Sequence, residues 1–214
     1  MSKTFVLVHG SWHGGWAWDA VARELSKKGH YPHAPTLAGH GPNANRVGIT
    51  HKDCVDSVTA YIRYHQLTNI TLVGHSFGGS VAQKVVEQLP DRINSVVFVD
   101  ALILADSQCV FDNLPVEYVA AFNDLASASS DNTMLIPWEI WRDSFMQDAP
   151  ESVARSVWEQ LTPAKSGQPR KTGSKAVLLT RRAQELHLLP PRQGTAARLF
   201  PSEHVFSPRS FQIA

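Results

Sequence analysis

Cysteine is scarce in this sequence: Cys54 and Cys109 are the two among 214 residues. They form no Cys-x-x-Cys pair and no metal-ligand spacing, so two buried free thiols are the plain reading. Net charge is scarce too. Twenty Lys and Arg against nineteen Asp and Glu leave +1, which gives no long-range pull toward nucleic acid or an anionic membrane. Long apolar runs are missing: the first, Thr4–Val8, is too short for a signal-peptide core or a membrane span. A soluble, cytoplasmic protein is expected, with no nucleic-acid and no membrane partner. The histidines His30, His33, His40, His51 and His65 are scattered without metal-ligand spacing. Finally, Asp is missing from the end of the chain. Residues 165–214 carry nine Lys and Arg against two Glu, and the last aspartate is Asp148.

What is present alternates. Thr4–Val8, His30–Ala34, Ile70–Val73 and Ser95–Val99 read as short apolar strands. Between and after them, Trp16–Lys28, His51–His65 and Ser76–Gln88 repeat apolar residues at helical spacing. Strand–helix alternation predicts a mostly parallel sheet flanked by helices, with ligands beyond the C-terminal strand ends. After Leu102 the alternation stops. Helical pieces at Val116–Leu125, Trp138–Phe145 and Glu151–Leu161 carry aromatics and read either as a helical cap or as ordinary surface helices. The expected division is one domain: a core over 1–102, a cap-like insertion over 103–163, and an atypical tail over 164–214 of low order.

Two motifs sit at strand ends. Gly74-His75-Ser76-Phe77-Gly78 is a G-x-S-x-G sequence between a strand and a helix. Glycines two before and two after allow the sharp turn that exposes the Ser76 hydroxyl at a helix N-terminus. There the Phe77 N–H, helped by the helix-end partial charge, can hold an oxyanion. The plainer alternative is a glycine-rich turn with a structural serine. The second motif, His9-Gly10-Ser11-Trp12-His13-Gly14-Gly15-Trp16, follows the first strand, and by position the Ser11 N–H is its oxyanion donor. Trp12, His13 and His75 are expected to line a substrate pocket. Trp16 and Trp18 read equally well as core, and His9 as structural.

FVLVHGSWHGGWAWD together with LVGHSFGG resembles the branch of α/β hydrolases that holds plant methylesterases, hydroxynitrile lyases and bacterial esterase relatives. The resemblance spans about residues 4–163. It implies the α/β-hydrolase fold with a helical cap, a Ser-His-Asp triad, no cofactor, no metal, and a small-molecule ester as partner. A homodimer is left open. Hydroxynitrile lyases use a Thr in the first loop, where this chain has Gly10 and Ser11, so the esterase reading leads over lyase chemistry. A hydrolase-fold protein that binds a ligand without turnover is the third reading.

The tail departs from the family pattern. Family members carry the acid in a segment like CRQD and the histidine in one like GSHE, and neither is present, so the C-terminal part of the fold reads as incomplete. Reading permitted codons for Arg170–Ser207 one nucleotide later yields SYIYCRQDKALP within a single open frame, which points to a frame shift near Leu161–Gly167. Within the sequence as it stands, the substitutes are Asp100 as triad acid and His204 as triad base. Asp100 reads equally as a loop cap, and His204 as part of an out-of-frame tail.

Overall fold

The structure is a computed structural model and describes residues 1–105 and 108–165. The tail 164–214, expected to be of low order, therefore falls outside the described residues apart from Ala164 and Lys165, and the stretch 170–207, expected to be out of frame, lies wholly outside them.

Four parallel strands make the main sheet in the order β2-β1-β3-β4: β1 Thr4–Val8, β2 Tyr31–His33, β3 Ile70–Ser76 and β4 Ile93–Ala101. The connections carry α1 Asp19–Lys27, α2 His51–Tyr64 and α3 Phe77–Gln88. The central strands are longer than the apolar runs alone indicate, because backbone pairing carries β3 through Gly74 and His75 to Ser76. The helix read from Trp16 divides: a tight turn at Gly15–Trp18 precedes α1. α2 begins at a capping box, in which the Thr50 hydroxyl and Asp53 carboxylate each accept the other's backbone N–H.

The core lies between the sheet and the layer of α2 and α3. Alternate residues of β1 (Val6, Val8) and β3 (Ile70, Leu72) meet Val55, Val58 and Ile62 of α2 and Val81 and Val85 of α3. All are buried, which follows from period-two strands meeting helices with one apolar stripe. α1, by contrast, buries none of its residues, and Val21 is exposed.

Chain contacts gather 1–135 with 161–165 into one unit and 136–160 into another. The first also holds α4 Val116–Ser127 and a two-stranded antiparallel ladder, β5 Thr133–Met134 with β6 Ala164–Lys165. In the second, α5 Trp138–Ile140 runs into a wider turn at Trp141–Phe145, and α6 Glu151–Trp158 follows. There the Trp158 and Trp141 indoles donate to the carbonyls of Ile136 (2.9 Å) and Ala154 (3.1 Å), and the Arg155 guanidinium stacks 3.6 Å over Trp138. Among the described residues no helix is long and apolar enough to cross a membrane.

Candidate active site

β3 ends and α3 begins at Ser76, with no loop between them. So abrupt a reversal forces Ser76 to φ 50°, ψ −123°, a backbone conformation that L-residues adopt only under strain. Close approach explains the flanking glycines. A Cβ on Gly78 would lie 2.5 Å from the Val8 carbonyl oxygen and 2.6 Å from that of His9. One on Gly79 would lie 2.5 Å from the Ala101 Cβ. α3 can thus touch both β1 and the end of β4 only with glycine at these positions.

The loop after β1 reaches the same place. A Cβ on Gly10 would sit 3.0 Å from the Ser76 Cβ and 3.1 Å from His75 Nδ1. The structure therefore brings the His9–Trp16 loop and the Ser76 elbow together.

Two peptide groups here have their carbonyls fixed from behind. The Gly10 carbonyl accepts from His9 Nδ1–H at 2.9 Å, and His9 Nε2 accepts from the Leu37 N–H at 3.0 Å. The second bond requires a lone pair on Nε2, so His9 is the neutral Nδ1–H tautomer. Burial lowers its pKa to about 3, in agreement. The Ser76 carbonyl accepts from the Leu102 N–H at 2.9 Å. A trans peptide sets N–H opposite C=O. Holding the Gly10 carbonyl thus orients the Ser11 N–H, and holding the Ser76 carbonyl orients the Phe77 N–H.

Other contacts brace these turns. His13 Nδ1–H donates to the Ser11 carbonyl at 2.7 Å, and burial lowers the His13 pKa to about 4. Trp12, at φ 64°, offers its carbonyl to the Thr162 N–H at 2.8 Å, while the Thr162 hydroxyl accepts from the Gly41 N–H at 3.1 Å. Ser80, buried in the first turn of α3, donates to the Phe77 carbonyl at 2.7 Å and accepts from His51 Nε2–H at 3.0 Å. The Phe77 ring lies between His40, stacked at 6.2 Å, and His51, edge-on at 5.6 Å. Burial lowers the pKa of both histidines, and Lys84 adds to the effect on His51.

The expected pocket residues are neighbours. The His13 and Trp18 rings each meet His75 at 6.3 Å, and Trp12 packs edge-on against Phe122 of α4 at 6.1 Å. His75 is pushed down by burial, opposed by the Asp100 carboxylate. Asp100 sits near the end of β4 at φ 41°, exposed. His204 lies outside the described residues. Among the described residues no imidazole hydrogen-bonds the Ser76 hydroxyl, and no three His, Cys, Asp or Glu gather for a metal ion. Sequence reasoning missed Leu102, Thr162, Ser80 and His51. Leu102 and Thr162 act through backbone or short-range polar contacts to residues far away in the chain and carry no local signal.

Comparison with known proteins bears on the family and the fold. A family model described as the alpha/beta hydrolase family matches residues 5–206. An extracellular alpha/beta-hydrolase from a Paenibacillus species, described as sharing structural and functional homology with tobacco salicylic acid binding protein 2, superposes with a TM-score of 0.76. It is 41% identical, over 80% of this chain and 71% of that one. A carbendazim hydrolyzing esterase from a Nocardioides species is 37% identical over 113 residues, 52% of this chain and 47% of that protein. Methyl jasmonate esterase 1 of Vitis vinifera is 34% identical over 46% of this chain and 39% of its own length. The chain thus spans less than half the length of these two relatives.

Proposed function

This chain belongs to the alpha/beta hydrolase family, and on that footing we propose that it is a carboxylic ester hydrolase whose nucleophile is Ser76. The observation that carries the reading is the strained backbone of Ser76 at the junction of β3 and α3, because a serine held at φ 50° without a functional demand is a cost the fold would not need. In this reading Ser76 Oγ attacks the carbonyl carbon of a small ester. The Ser11 and Phe77 N–H groups hold the tetrahedral oxyanion, each contributing on the order of a hundredfold or more in kcat. An imidazole takes the serine proton and returns it to the leaving alcohol. The acyl-enzyme is then hydrolysed by water. Trp12, His13 and His75 line the acyl or alcohol side. The imidazole expected for the proton transfer, His204, is outside the described residues. Similarity to a carbendazim hydrolyzing esterase and to methyl jasmonate esterase 1 supports ester chemistry.

The test is hydrolysis of a short-chain p-nitrophenyl ester by the 214-residue chain and by Ser76→Ala. Turnover that disappears with the hydroxyl is the expected result. Equal rates for the two proteins would overturn the proposal.

A further inference from the structure

We propose that Asp100 is a positioning residue: its left-handed backbone creates the bulge that seats the Leu102 N–H on the Ser76 carbonyl and so aims the Phe77 N–H at the reacting carbonyl. This rests on the reading of Ser76 as nucleophile.

β3 and β4 pair one for one from Thr71↔Ser95 to His75↔Val99, and the next pair is Ser76↔Ala101. Asp100 is the extra residue. Bulges are uncommon in parallel ladders and concentrate beside active sites. Asp100 makes the bulge at φ 41°, a region that Asp and Asn tolerate better than other side chains and Gly best of all. An unbulged strand would pair Ser76 with Asp100, and a slip of one residue turns each following side chain to the other face. The bulge is therefore what lays the Ala101 Cβ where Gly79 leaves room, 2.5 Å from the position a Cβ would take there. It also brings the Leu102 N–H within 2.9 Å of the Ser76 carbonyl oxygen. That bond fixes the 76–77 peptide plane, whose opposite side carries the Phe77 N–H. Ser80 holds the next carbonyl, that of Phe77, so the residue is clamped on both sides. The Asp100 side chain is exposed, in keeping with a role for its backbone.

Asp100→Gly, Asp100→Ala and Asp100→Val separate backbone from carboxylate, since all three lack the acid and differ in tolerance of positive φ. Amide exchange at Leu102, followed by NMR on the whole chain, reads the bond directly and needs no turnover. The expected result is exchange within about threefold of wild type in the Gly variant and acceleration of about tenfold or more in the Val variant. Where ester hydrolysis is followed, kcat should rank Gly above Ala above Val, with Gly and Val separated by about tenfold and KM nearly constant. A general loss of fold would instead lower the melting temperature of all variants together. Unchanged Leu102 exchange in the Val variant overturns the proposal, as does a Gly variant whose kcat falls as far as that of Val, which assigns the effect to the carboxylate. Failure of the hydrolase reading looks different: Ser76→Ala then matches wild type in rate, while Leu102 exchange still reports on the bulge.

Discussion

The Gly10–Ser11 and Ser76–Phe77 peptides occupy neighbouring places in the fold, yet they are held by different means. The first is fixed by a side chain: His9 spans from the Leu37 N–H to the Gly10 carbonyl, and Thr162 ties down Trp12 just beyond. The second has its own carbonyl held by backbone, through the Leu102 N–H and glycines that let strands and helix touch, with the Ser80 hydroxyl on the carbonyl that follows. A peptide held by a side chain is sensitive to that side chain's protonation and chemistry. A peptide held by backbone contact is sensitive to added volume and to φ. The two halves of the proposed oxyanion site should therefore fail under different perturbations.

The largest expected effect lies in the backbone-held half. Gly78→Ala would push a methyl to within 2.6 Å of the carbonyl oxygens of Val8 and His9, and backbone cannot swing aside as a side chain can. A loss of about 3 kcal/mol or more in unfolding free energy is expected from chemical denaturation. A variant as stable as wild type would show that α3 can shift freely.

Next is His9→Leu, which leaves the Leu37 N–H and the Gly10 carbonyl buried without partners. Each such group costs about 1–3 kcal/mol, so a total of a few kcal/mol and a kcat lower by at least about tenfold are expected. His9→Gln, able both to donate and to accept, should recover part of the loss. Equal losses for Leu and Gln would indicate that ring volume matters rather than hydrogen bonding.

Acid should reach the side-chain-held half through His9 and His13, as it reaches the surroundings of Phe77 through His40 and His51. His9 and His13 titrate at about 3 and about 4 when folded, below the ordinary 6.5. The unfolded chain then binds more protons than the folded one from about pH 6.5 downward, so stability falls with pH. The loss continues until each folded pKa is reached, at no more than about 1.4 kcal/mol per pH unit per histidine. Melting temperatures should therefore decline between pH 6.5 and 4, and more shallowly in His9→Gln. A flat profile would contradict the neutral tautomer assigned to His9.

The smallest effect is expected for Thr162→Val. It keeps the N–H to the Trp12 carbonyl and loses the acceptor for the Gly41 N–H. About 1 kcal/mol of stability should go, with little change in kcat. A loss of activity approaching that of His9→Leu would mean that the Trp12 loop depends on the hydroxyl.

These differences also explain which parts of the site were legible in the sequence. Gly74, Ser76 and Gly78 announced the elbow because its geometry demands glycine at fixed spacings from the serine, whereas the demand on Gly79 comes from its contact with Ala101. His9, Gly10 and Ser11 were legible as a loop after a buried strand. The four parallel strands followed from apolar runs alternating with amphipathic segments. The bulge at Asp100 was not legible, since a one-residue register shift depends on what β4 pairs with and not on its own sequence. Thr162 was hidden for a related reason: it meets Trp12 across 150 positions of chain. The helix read at Trp16–Lys28 failed at its start, where Gly15–Trp18 forms a separate tight turn.

Covalent labelling with a fluorophosphonate, mapped by peptide mass spectrometry on the 214-residue chain, tests the nucleophile most directly. A single adduct on Ser76, missing from Ser76→Ala, is the predicted result. An adduct on another residue, or none on Ser76, would contradict the account.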